Sequence, residues 1–87
     1  MKHLTYNTSG TCSSQIDVVL DDDNVVRDVQ FMGGCHGNLQ GISTLVRGMN
    51  AADVISKLEG IRCGYKNTSC PDQLARALSK MTTSEQQ

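Results

Sequence analysis

Apolar and polar positions alternate along the first third of the chain and then change period. Leu4, Tyr6 and Thr8 alternate with polar neighbours, which predicts a short strand ended by Ser9-Gly10-Thr11. Ile16, Val18 and Leu20 follow with the same period, Asp21 to Asn24 turn the chain, and Val25, Val29 and Phe31 mark a return strand, so this unit reads as a β-hairpin. After Gly33-Gly34-Cys35-His36-Gly37-Asn38 the spacing becomes helical. Leu39, Ile42, Leu45 and Val46 share one face of a helix reaching Arg47, with Gly48 as its terminator. Asn50 and Asp53 have the types and spacing of a cap and its partner for a helix from Ala51 to Glu59, whose apolar face is Val54, Ile55 and Leu58 and which Gly60 closes. Ile61 to Tyr65 is a short connector.

The last helix is announced by Thr68-Ser69-Cys70-Pro71-Asp72. Pro71 has no N–H to donate and a φ already near the helical value, so it suits the first helical position, and this puts Cys70 at a helix N-terminus. Leu74, Ala75, Leu78 and Met81 continue at helical spacing. Asp72 places a carboxylate in the first turn and Lys80 a cation in the last. Residues 82–87 are polar and read as a frayed tail of a single domain covering 1–87.

Composition narrows the function classes. At 87 residues with an apolar fraction of 38%, the chain is near the size at which one core needs help from a metal, disulfides or oligomerisation. The formal charge is −1, with no basic cluster and only Tyr6, Phe31 and Tyr65 as aromatics, which argues against direct binding of nucleic acid. No apolar run has the length of a signal peptide core or a membrane span, so the expected location is the cytoplasm, without a membrane partner. The acidic run Asp21-Asp22-Asp23 lacks the spaced ligands and terminal Glu of an EF-hand and reads as a solvated turn.

In a reducing compartment, four cysteines point to metal binding or redox chemistry before disulfides. Cys12 precedes the hairpin and Cys35 follows it, so antiparallel pairing carries both to one sheet edge. Cys35 and Cys70 each precede or open a helix, where free N–H groups favour a thiolate. With Cys63 they supply four thiolates, which at about 2.3 Å from one ion form the closed tetrahedral site zinc prefers, and the same set serves an iron-sulfur cluster. The glycines around Cys35 allow close approach of the backbone to an ion. Alternatively, Gly33, Gly34, Gly37 and Asn38 are a candidate anion-binding loop at a helix start, of the kind that suits a nucleotide, although no Walker or dinucleotide fingerprint is present. His36, beside Cys35 in a glycine-rich loop, is a candidate ligand, general base or outer-layer donor to a ligating sulfur, against the plainer reading of a solvent-facing loop residue, and Ser69 is a second candidate for that outer layer. A thiol redox protein using Cys63 and Cys70 is a further reading, weakened by the lack of a CxxC pair.

The chain resembles the TSCPD-domain family, whose defining motif stands here as Thr68-Ser69-Cys70-Pro71-Asp72. The likeness runs through Cys12, the hairpin, the Gly33–Asn38 loop, the segment from Gly41-Ile42 to Gly48-Met49, and Cys63 with Cys70. Related domains stand at the C-terminal side of some cobalamin-dependent ribonucleotide reductases. The resemblance implies a link to ribonucleotide reduction, reductase subunits as partners and metal binding by Cys12, Cys35, Cys63 and Cys70. It does not imply the reductase itself, for which 87 residues leave no room. More distantly, the chain is similar to U-type iron-sulfur cluster scaffolds. This implies an α+β fold, with a three-stranded antiparallel sheet and about three helices packed on one face. Where those scaffolds carry an Asp two residues after the first Cys this chain has Ser14, and where they commonly carry a His before the last Cys it has Ser69. Loss of the carboxylate and gain of Cys63 favour retention of a metal over transfer of a cluster. The expectation is an accessory or regulatory module with a resident metal, zinc before an iron-sulfur cluster, and no catalytic residues of its own. A cluster scaffold or carrier is the alternative. The sequence leaves nucleotide binding and oligomeric state open.

Overall fold

The computed structural model describes residues 1–8, 10, 13–33, 36–62, 64 and 66–85, with Ser13, His36 and 83–85 described by their backbone alone. The alternating segments form three strands, β1 (Lys2–Asn7), β2 (Ser13–Leu20) and β3 (Val26–Gly33), joined antiparallel in the order β1-β2-β3. The helical segments form α1 (His36–Val46), α2 (Ala51–Leu58) and α3 (Cys70–Glu85). This is the expected α+β class.

Register follows from the apolar pattern, because a one-residue slip would turn every buried side chain outward. Leu4 pairs with Val18 and Tyr6 with Ile16; across the other seam Ile16 pairs with Phe31, Val18 with Val29 and Leu20 with Val26. Ile16, Val18, Leu20, Val26 and Val29 are buried, and with Val46, Ala51, Val54, Leu74, Ala77, Leu78 and Met81 they form one core between the sheet and the helices. The opposite sheet face is polar: Thr5 Oγ1 donates to Asp17 Oδ1 at 2.6 Å, and Gln15 Nε2 donates to Asn7 Oδ1 at 3.2 Å. All three helices contribute buried residues to the single core, as expected for helices packed on one face.

Two expected positions shift. Val26, not Val25, begins the core-facing row of β3, because the register slips between Val19–Asp28 and Leu20–Val26 and leaves Arg27 as an extra residue, a β-bulge. Val25 instead forms an isolated bridge with Asn50. Leu45, expected on the apolar face of α1, is 77% exposed, while Ser43 is buried at 7% and donates its hydroxyl to the Leu39 carbonyl at 2.9 Å. The hydroxyl is satisfied within its own turn, so burying Ser43 costs little.

The turn is held by Asp21. Its Oδ1 accepts the N–H groups of Asp23 and Val25, and its Oδ2 lies 2.7 Å from Arg27 Nη2. The hydrogen bond from Val25 leads these effects in holding the Asp21 carboxyl below the usual range. Asn24 completes the turn with φ 63°, a left-handed value Asn tolerates. From there the hairpin is stitched to the helices: Val26 N–H donates to Met49 C=O and Gly48 N–H to Val26 C=O, both at 2.8 Å, and Ala51 N–H donates to Asn24 C=O. Asn50 caps α2 by accepting from Ala52 N–H at 2.9 Å. Among the described residues, no helix is long and apolar enough to cross a membrane.

Candidate functional site

The site is built outward from α3. Cys70 is its first residue and Pro71 its second, one place later than expected, because Ser69 is the cap: its Oγ accepts from Asp72 N–H at 3.2 Å and its carbonyl from Gln73 N–H at 2.9 Å. Cys70 therefore does sit at a helix N-terminus, buried at 7% exposure. The Ser69 hydroxyl has one proton, and it is given to Ile61 C=O at 2.6 Å. Ser69 thus caps α3 and also fastens the preceding loop. α3 continues through Glu85, past Met81 where the apolar spacing ends, so 82–85 extend the helix where the sequence reads as a tail and Lys80 stands before the last turn.

Around Cys70 the motif forms a buried polar network. Thr68 Oγ1 donates a short hydrogen bond to Asp72 Oδ2 and accepts from Gln73 Nε2 at 3.0 Å; Gly60 N–H donates to Asp72 Oδ1 at 2.8 Å, and Arg76 Nε lies 3.1 Å from Asp72 Oδ2. Thr68, Ser69, Asp72 and Gln73 are each at most 7% exposed. Every buried polar side-chain atom among the described residues finds a partner, which is what makes such a network stable. Burial by itself would push the Asp72 carboxyl up. The hydrogen bonds from Thr68 and Gly60 and the Arg76 guanidinium outweigh it and hold the group below the usual range.

Cys12, Cys35 and Cys63 lie outside the described residues, as does Gly34. Their described sequence neighbours are joined in a chain of contacts. Ser13, next to Cys12, is the strand partner of Gly33, two residues before Cys35. Gly10, two residues before Cys12, has its backbone against Thr68, two residues before Cys70: a Cβ at Gly10 would meet Thr68 Cγ2 at 3.1 Å, and its φ is +76°. Ile61, two residues before Cys63, accepts the Ser69 hydroxyl next to Cys70. Sheet pairing, a close glycine approach and a cap thus bring together residues flanking all four cysteines.

Of the glycine loop, Gly33 ends β3 with φ +80°, while Gly37 and Asn38 belong to the first turn of α1 and are exposed. The expected loop is therefore shorter than its sequence suggests. α1 begins at His36, immediately after Cys35 in the chain. Among the described residues, no three His, Cys, Asp or Glu side chains group as a metal site. Thr68, Asp72 and Gln73 are the residues that spacing did not single out for the site. The available signal was Thr68 four residues ahead of Asp72, a helical step across the cap.

The comparison with curated proteins gave no match, and neither did the comparison with solved structures. The model of the TSCPD domain matches residues 2–82, from the first residue of β1 into the last turns of α3. With the motif at the start of α3 and the match spanning sheet and helices alike, the chain belongs to the TSCPD domain family.

Proposed function

We propose that this domain is a small metal-binding module in which Cys12, Cys35, Cys63 and Cys70 together hold one zinc ion, and that it serves ribonucleotide reduction in the cytoplasm as an accessory or regulatory partner of reductase subunits. The observation that carries the metal reading is the chain of contacts among residues flanking the four cysteines: Ser13 with Gly33, Gly10 with Thr68, and Ile61 with Ser69. The link to ribonucleotide reduction rests on family membership. Four thiolates leave zinc no open position, which fits a structural ion better than a Lewis acid. When bound, the metal supplies folding free energy that a chain of this size is short of.

Elemental analysis with a visible absorption spectrum, on untagged protein purified without oxygen, tests the reading. About one zinc per chain without colour is the expected result. Iron with matching sulfide and a brown chromophore would replace it with the cluster-carrier reading, since the same four thiolates serve either. No metal and four titratable thiols would sink both. Cys→Ser changes at positions 12, 35, 63 and 70, made singly, should each lower metal content and stability together. A Cys63→Ser protein that held metal as tightly as the parent would instead make His36 the leading fourth ligand. Sedimentation of the zinc-loaded protein with purified reductase subunits tests the partner, and absence of a complex at micromolar concentration would remove that role while leaving the metal site.

A further inference from the structure

Residues 60–68, among which Cys63 stands, run between α2 and α3, and one carboxylate holds both ends of this segment. Asp72 Oδ1 accepts the Gly60 N–H at 2.8 Å, and Oδ2 accepts the Thr68 hydroxyl. Beside them, the Ser69 hydroxyl donates to the Ile61 carbonyl at 2.6 Å. The first turn of α3 and its cap thus close the segment into a loop. Gly60 follows the end of α2 with φ +84°, and a left-handed residue in that place commonly returns its N–H to a carbonyl of its own helix. Here the N–H goes to α3 instead, so Asp72 completes the end of α2.

Apolar packing does little to hold this loop. Gly60, Arg62, Gly64, Lys66 and Asn67 are exposed and Ile61 is 40% exposed, whereas Thr68, Ser69 and Asp72 are buried. The loop's position is therefore set by its hydrogen bonds to the start of α3. Chain length shows what those bonds change. Through the backbone alone, Cys63 is limited only to within about 25 Å of Cys70, seven residues on. With the Ile61 carbonyl bonded to Ser69, the residue before Cys70, the Cα of Cys63 stays within about 7 Å of the Cα of Ile61.

We propose that Asp72 and Ser69 are positioning residues for metal binding: they clip the loop of residues 60–68 shut in the metal-free protein and so hold Cys63 near Cys70 before zinc arrives. Their side-chain oxygens are engaged by Gly60, Thr68, Arg76 and Ile61, so neither residue serves as a ligand itself. The gain is entropic, because a loop closed ahead of binding removes the cost of ordering it from the binding step. The proposal rests on the four-cysteine zinc reading and adds to it the residues that prepare the site.

Two measurements on the full chain test it. In the metal-free protein, hydrogen exchange followed by NMR should find the Gly60 amide at least about tenfold slower than its unstructured rate. Zinc affinity is then measured by competition with a chromophoric chelator for Ser69→Gly and Asp72→Asn, each made in the parent and in Cys63→Ser. Glycine caps a helix nearly as well as serine but has no hydroxyl for Ile61, so Ser69→Gly opens the clip with little harm to α3. An effect that passes through Cys63 has a signature that general weakening of the fold lacks. Both variants should lower affinity about tenfold more in the parent than in Cys63→Ser. Leu39→Ala, which removes a buried side chain from α1, should lower it equally in the two. An excess below about twofold for either folded variant, or a Gly60 amide exchanging at its unstructured rate, would overturn the clip while leaving the zinc reading intact. No zinc on the parent, or parent-like affinity in Cys63→Ser, would overturn that reading and the proposal with it.

Discussion

Replacing Asp72 by Asn keeps the shape of the side chain and removes its charge, which isolates the role of the carboxylate. In the native protein this side chain is 5% exposed and receives hydrogen bonds from Gly60 N–H and Thr68 Oγ1, with Arg76 Nε at 3.1 Å. An Asn carbonyl oxygen can keep the Gly60 bond. The amide nitrogen then faces Arg76, donor against donor, and the Thr68 hydroxyl, already an acceptor from Gln73, loses the acceptor of its own proton. Losing one charge-assisted bond costs about 1.5–3 kcal/mol and leaving a buried hydroxyl unsatisfied about 1–3, partly overlapping, so the net loss should be about 2–4 kcal/mol. A chain of 87 residues has about 4–13 kcal/mol in total, so the loss is a large share. Urea unfolding of parent and variant, prepared identically, reads the difference at a series of pH values. Because the folded pKa of Asp72 lies below its ordinary value, the parent's advantage should be full above the ordinary carboxylate pKa and should shrink as pH falls through the folded value. A difference below about 0.5 kcal/mol at neutral pH, within the range of ordinary surface changes, would refute the network as a source of stability. A difference that does not change with pH would refute the charge as its cause.

Other substitutions probe separate parts of the fold. Gly41 lies within α1 with open space where a Cβ would go, so Gly41→Ala should stabilise the protein by about 0.5–1 kcal/mol, seen as a higher Tm in a thermal melt. Gly10→Ala should do the reverse, because φ is +76° and the added methyl would press on Thr68. A loss of about 1–2 kcal/mol by urea unfolding is expected, and, on the proposed metal reading, easier release of zinc to a chelator, because this contact joins the Cys12 and Cys70 flanks. Leu45→Glu should change stability by less than about 0.5 kcal/mol, whereas Leu39→Ala six residues earlier in the same helix should cost about 2–5, since Leu39 is 5% exposed and Leu45 77%. Similar losses for both, measured by chemical denaturation, would show that Leu45 is covered in solution.

Much of the fold was legible because the sequence's two periods do not overlap: alternation ends near Phe31 and helical spacing begins at Leu39. Cys70 at a helix start was equally legible, since Pro71 allows few other places. Periodicity could not reveal the bulge at Arg27, because an extra residue in a strand shifts the alternation by one without changing its composition. Hence Val25 and Val26 exchanged roles. Leu45 was misplaced for a different reason: hydrophobicity ranks side chains, whereas burial in α1 is set by which positions face the rest of the fold, and Ser43, its hydroxyl bonded within its own turn, occupies one of them. The network of Thr68, Asp72 and Gln73 stayed hidden because its partner Gly60 comes from the loop after α2, twelve residues before Asp72.

The sheet order follows the order of synthesis, β1, β2 and β3 side by side, while the element that carries Cys70 is made last. The strands pair through short connections and can form early, since closing a short loop sacrifices little entropy. α3 must return across the whole domain to set Leu74 and Leu78 against the sheet, and only then do Thr68 and Gly10 meet. The contact between the Cys12 and Cys70 flanks thus depends on the docking of α3, and a variant whose α3 cannot dock should lose it while the strand pairing remains.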